Sequence, residues 1–447
     1  SGKRHAKRKP AARRAPSASE IAKNVKHFET WSTHQNLEQA EFSDLPDELV
    51  EDVEHVFCTS GRIPLDWVKK DSPGYKWFSS RASPKLLSFI ASAYAGDPDL
   101  FCDDTKNEES DDTRDEENDF ELLSSLLQVF AVWKRLIWME ESSERWSEAD
   151  YVANIYAPLR SPAITESTQR VQPRLCLPQP SILKHLGTEA ARVLSTKTVI
   201  PDCAILIPAS SIQDLATSSS SSYNKLKRAI KNGNASKGSS FRYQATIFDK
   251  LPDTPSFQFA SSFWEDKKPV HQSLEDAYRQ NRMSSAVALR QLHSLHVQAP
   301  IFGLVWCQGI VRAHVDWYSS SNQDETPTVL SAPYVKSDGS ESTGKNFEWR
   351  LKKPEDILRI YFFIRNIDQW TIGRFRERVE EGIEDLVDHV ITKKKPFHLW
   401  RRCGEITTTR SRKQKENAQV TSHSSDSASG ESKPKGRTAK STARTRK

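Results

Sequence analysis

Between residues 147 and 318, apolar β-rich runs alternate with long helical patterning, and that order leaves few folds open. Val199 to Ile207 (VIPDCAILI) is apolar and β-branched, and Pro208 ends it. Phe257 to Lys267 (FQFASSFWEDK) reads as a second strand. Ser273 then caps the helical stretch SLEDAYRQNRMSSAVALRQLHSLHV, and two more strands follow at 301–307 and 310–318. A shorter helix opened by Ser147-x-x-Asp150 precedes them all. The order helix, strand, strand, helix, strand, strand predicts an α/β (α+β) domain, with a mixed central sheet flanked by helices.

The flanking regions are mostly helical. Ser17-x-x-Glu20 is a capping box, and helical spacing recurs from Pro46 to Val56 and from Pro84 to Gly96. Residues 17–96 therefore read as a small helical region. Phe120 to Glu140 is apolar on most of its circumference, which predicts a buried helix at the start of a domain spanning 120–400. Residues 216–240 are rich in Ser, Lys, Asn and Gly and read as a disordered insertion between strands. Residues 319–345 read as a polar loop, 346–351 as a short strand, and 357–367 and 372–390 as closing helices. No apolar run in the sequence approaches the ~18 residues of a membrane helix, so no membrane partner is expected.

Charge is segregated along the chain. The net charge of +6 resolves into +7 over residues 1–14, +9 over 401–447 and −10 over 97–119, which leaves the rest near neutral. The basic ends, 1–16 and 401–447, are too polar to bury a core and predict disordered tails that contact nucleic acid or address the chain to the nucleus. Residues 97–119 predict an acidic disordered linker that could dock on a nuclear protein partner. The first ten residues, SGKRHAKRKP, lack the apolar stretch of a secretory signal. Six scattered cysteines without a CxxC pair argue against a zinc site or a disulfide framework. The phosphate-loop, dinucleotide, kinase, zinc-protease and serine-hydrolase signatures are missing from the sequence.

Two strand ends carry the chemistry. Pro201-Asp202 lies inside the first strand and Glu265-Asp266-Lys267 closes the second, in the form PD…(D/E)xK. The overlapping Asp266-Lys267-Lys268 satisfies the same pattern. Here the sequence resembles the PD-(D/E)XK nuclease-like superfamily, and its texture (FWEDKKP, DILRIYFFIRNI) looks like the nuclease-like domains of uncharacterised fungal proteins. The resemblance implies a restriction-endonuclease-like core and metal-dependent hydrolysis of phosphodiesters. Asp202 and Glu265 would hold Mg²⁺ or Mn²⁺, hard cations that prefer oxygen ligands, and Lys267 would assist the water or the transition state. Glu265 and Lys267 are two apart in a strand and can share a face, while Asp266 points the other way.

Weaker candidates surround this core. Asp150 or Glu148 could add a carboxylate, although Asp150 also completes a helix cap. Gln272 and Gln280 could touch phosphate, with surface glutamines as the plainer reading. Lys225, Lys227, Arg228 and Lys231 in the insertion could contact a nucleic-acid backbone. The expected partner is nucleic acid, DNA in preference to RNA. The competing expectation is a catalytically inactive nuclease-like protein that binds nucleic acid or serves as a nuclear adaptor.

Overall fold

The computed structural model describes residues 14–102, 116–180, 186–232, 241–267, 274–320, 326–335, 347–396 and 398–403. Its central sheet is built from β1 (Leu37–Gln39), β2 (Thr168–Val171), β3 (Cys203–Leu206), β4 (Ala260–Lys267), β5 (Ile301–Cys307), β6 (Ile310–Ser319), β7 (Thr328–Pro333) and β8 (Trp349–Arg350). The strands lie in the order β1-β7-β6-β5-β4-β3-β2, with β8 paired to the start of β6. The sheet is mixed. β4 runs parallel to β5 and β1 parallel to β7, and the other pairings are antiparallel. The helices of ten residues or more are α1 (Val25–His34), α2 (Asp47–Phe57), α3 (Pro84–Gly96), α4 (Glu116–Glu141), α5 (Ser222–Asn232), α6 (Leu274–Ser294), α7 (Pro354–Ile372) and α8 (Arg374–Val387).

The centre of the sheet is covered on both faces. Every residue of β4 and β5 is buried, as expected for parallel neighbours joined by a crossover helix. That crossover is α6. Asn281, buried on α6, donates from Nδ2 to the carbonyls of Phe263 (2.8 Å) and Leu304 (3.0 Å), and so ties the helix to both strands.

The expected strand over 199–207 is broken in two. Thr198–Val199 pairs with Leu175–Cys176 in a separate ribbon, whereas β3 joins the main sheet. Pro201 has no N–H for a ladder and forces the break, which leaves Asp202 in the gap. The expected polar loop over 319–345 contains β7, and β1 pairs with β7, so the region 17–96 contributes an edge strand to the central sheet. Phe57 at the end of α2 stacks on Tyr334 (4.2 Å between ring centroids) and on Phe363 of α7 (4.8 Å). The described residues thus form one unit.

The insertion expected over 216–240 is helical in part. α5 occupies 222–232, and its buried Tyr223 packs edge-on to Phe241 and Phe257. Of the acidic segment, Phe101–Cys102 pairs with Ile63–Pro64 and Glu116 begins α4, while 103–115 lie outside the described residues. The tails, 1–13 and 404–447, also lie outside them. α4 is long and apolar enough to cross a membrane by length and composition. Its Leu126, Val129 and Leu136 are nevertheless fully buried in the fold, and its Trp133 indole donates to the Lys352 carbonyl at 2.8 Å, as in a core helix.

One position in the sheet admits only hydrogen as a side chain. Gly303 on β5 faces His314 on β6, and a β-carbon there would lie 1.9 Å from the imidazole Nε2. Gly303→Ala should therefore destabilise the fold by about 1–3 kcal/mol through overpacking. In denaturant titrations that penalty should shrink in a His314→Ala background. An unchanged penalty would mean that the clash lies elsewhere.

Candidate active site

The site forms where β4 ends and the break before β3 begins. Cys203 pairs with Trp264 across the two strands, so Asp202 falls beside the end of β4. Its carboxylate is fixed by the backbone: the Asp266 N–H donates to Asp202 Oδ2 at 2.8 Å. Its carbonyl accepts from the Gln172 N–H at 3.0 Å. Alternation along β4 then separates the three ionisable residues that close it.

On one face lie Glu265 and Lys267. Lys267 Nζ is 3.0 Å from Glu265 Oε2 and donates to Gln280 Oε1 on α6 at 3.3 Å. Gln280 Nε2 reaches the Ile200 carbonyl at 3.4 Å. Glu265 is wholly buried, and its Oε1 has no hydrogen-bond partner. Burial pushes the Glu265 carboxyl up to about 8, against the opposing pull of Lys267, with the Asp202 charge adding to the rise. Asp202 is raised by burial and by the charge of Asp266. Burial pulls the Lys267 ammonium down, but the charges of Glu265 and Asp202 outweigh it and hold the group above its ordinary value.

On the other face, Asp266 forms a bidentate pair with Arg160, at 3.0 Å and 2.5 Å. Both residues are almost fully buried. The guanidinium lies over the rings of Trp306 (4.3 Å), Trp264 (5.0 Å) and Tyr156 (5.3 Å). Such a cage is worth more when desolvated, as here. The overlapping Asp266-Lys267-Lys268 register loses its carboxylate to this pair, and Lys268 lies outside the described residues.

The structure thus brings Asp202, Glu265, Lys267 and Gln280 together. Gln280 is buried, not the surface residue that was the plainer reading. Asp150 is half-buried and engaged in the helix cap: Ser147 N and Oγ both donate to its Oδ2 at 2.7 Å. Those bonds hold its carboxyl below the usual range. Glu148, not Asp150, is the carboxylate on that helix whose charge acts on Lys267 and Cys307. Gln272 lies outside the described residues. Lys225, Lys227 and Arg228 are exposed on α5, whose Tyr223 packs on Phe257 near the start of β4. They sit at the opposite end of the sheet from Glu265 and Lys267. Lys231 is on the same helix, and its side chain lies outside the described residues. Arg160 carried no sequence signal, because a lone arginine before Ser161-Pro162 belongs to no motif.

The residues suit a divalent cation. Three carboxyls (Asp202, Glu265 and Asp266) crowd against two cations (Lys267 and Arg160) in a desolvated cluster, and Glu265 Oε1 is orphaned. Repulsion between the carboxylates contributes to raising both Asp202 and Glu265, and a cation would relieve it. Among the described residues no three His, Cys, Asp or Glu side chains converge on one point. Two carboxylates are what Mg²⁺ commonly takes from protein, with waters and phosphate oxygens completing its shell. No protein-family model matches this sequence, and no curated protein matches it either.

Two stability predictions follow from this geometry. Arg160→Ala strands a buried charged Asp266 and should cost about 3–5 kcal/mol in denaturant unfolding. Because folding raises the Glu265 pKa, the folded chain keeps a proton that the unfolded chain has already lost above its ordinary value. Stability in the absence of divalent cations should fall as pH rises from about 5 to about 8, and Glu265→Gln should flatten that slope. A wild-type melting temperature that is level across this window would show that Glu265 is not desolvated.

Proposed function

We propose that this chain is a divalent-cation-dependent nuclease of the PD-(D/E)XK type, acting on nucleic acid with DNA as the first substrate to test. One observation carries the reading. Asp202, from the break before β3, is hydrogen-bonded to the backbone of the strand end that bears Glu265 and Lys267, in one ionic cluster. The connection order supports a restriction-endonuclease-like core. A helical segment, 148–160, is followed by antiparallel β2, β3 and β4, then by the crossover α6 and parallel β5.

In this reading Asp202 and Glu265 would hold the cation, which would supply positive charge to the scissile phosphate and make a water more acidic. Lys267 provides a compact ammonium at the same place, kept protonated by its carboxylate neighbours. Gln280 holds the Lys267 ammonium from the helix side. Arg160 fixes Asp266, whose N–H in turn fixes Asp202. The basic stretches at both ends would supply nucleic-acid affinity and a nuclear address.

The complete burial of Glu265 favours a second reading, a nuclease-like fold that binds nucleic acid without turnover. The two separate in a cleavage assay on labelled DNA and RNA with Mg²⁺ or Mn²⁺. The nuclease reading expects metal-dependent cleavage that drops by about a hundredfold or more in both Asp202→Ala and Lys267→Ala. Cleavage that survives Lys267→Ala sinks it. Salt-sensitive binding with no cleavage by the wild type selects the second reading.

A further inference from the structure

Beside the ionic cluster is a pocket of about 320 Å³, formed between residues 15–19 and 195–200. Gln280 is the wall shared by pocket and cluster. It lines the pocket, accepts from Lys267 Nζ, and donates to the carbonyl of Ile200, another lining residue. The lining offers hydroxyls (Ser17, Ser19, Thr198) and one ammonium, Lys197, and includes no carboxylate.

The rim is pinned to the fold. Thr196 Oγ1 donates to the Pro16 carbonyl at 2.7 Å and Arg192 Nη1 to the Arg14 carbonyl at 3.2 Å. Arg14 is paired with Glu20. The sequence that precedes this anchor, residues 1–13, carries Lys3, Arg4, Lys7, Arg8, Lys9 and Arg13 and no acid. The pocket lining is thus acid-free, and the sequence that leads into it is strongly basic.

We propose that this cleft is the track by which a phosphodiester backbone reaches the cluster, with Lys197 contacting phosphate and the hydroxyl lining accepting the chain. The proposal rests on the reading of the cluster as a nucleic-acid site. It assigns the contact surface to the cleft and not to the basic face of α5, which lies at the other end of the sheet. The volume is in the range of about 300–1,000 Å³ typical of small-ligand pockets and suits one nucleotide unit of a longer chain.

The test uses the full chain and a fluorescent oligonucleotide, with binding read by anisotropy in Ca²⁺ to hold off turnover. Lys197 is exposed, and Ser19 lies in the first turn of a helix, where an acid is tolerated. Lys197→Glu and Ser19→Glu should each weaken binding by about tenfold with an unchanged melting temperature. Removal of residues 1–13 should flatten the dependence of log Kd on log salt. The triple change Lys225→Glu, Lys227→Glu, Arg228→Glu should leave Kd within about twofold. The cleft assignment falls if the triple variant loses as much as the cleft variants, if the cleft variants bind as the wild type does, or if the wild type does not bind. Cleft-dependent binding by a protein that never cleaves would overturn only the nuclease reading. Cleavage that persists without cleft dependence would overturn only the cleft.

Discussion

Three consecutive ionisable residues, Glu265, Asp266 and Lys267, close a strand whose two faces are both buried, and the site follows from how those charges are compensated. A buried charge without a partner costs several kcal/mol or more, so each must be answered on its own face. The pleat turns Asp266 toward Arg160, and the aromatic floor of Trp264, Trp306 and Tyr156 shields that pair. It turns Glu265 and Lys267 toward each other and toward Gln280. The Asp266 backbone N–H remains free of both pairs, and it is this group that holds the Asp202 carboxylate. A structural ion pair on one face thus sets the backbone that positions the candidate site on the other.

Much of this order was legible because strand and helix periods differ so plainly between 257 and 318. The β4–α6–β5 unit and the Asp202, Glu265, Lys267 constellation could be read directly. Within β4, Phe263 shares parity with Glu265 and Lys267, and an apolar and an ionic residue can share that face because both faces of β4 are buried. Apolar parity marks a core face only when the opposite face meets water. What local patterning could not show depends on tertiary pairing. β7 (TVLSAP) follows a polar run, and β1 is three residues long. Each is a strand only because the other, or β6, lies beside it. α5 emerges from a Ser- and Lys-rich stretch because Tyr223 and Leu226 find a buried seat. Gln280 and Asn281 look like surface residues in sequence, yet buried carbonyls and Lys267 need their amides.

The electrostatics divide the labour in the molecule. The cluster sets three carboxyls against two cations and is largely shut away from water, so by itself it offers a polyanion no long-range attraction. The positive charge of the sequence lies largely at its two ends, with only isolated cations such as Lys197 near the cluster. In the nuclease reading, most of the affinity and the chemistry would then come from different parts of the chain. Affinity would scale with released counterions, and hence with salt, through the basic stretches. Chemistry would depend on pH and divalent cation through carboxyls whose proton affinity is raised by burial and mutual repulsion. The shared wall at Gln280 is where these two systems meet. Its amide faces the acid-free cleft on one side and Lys267 on the other, so a phosphate seated in the cleft would approach the one ammonium that the cluster holds charged.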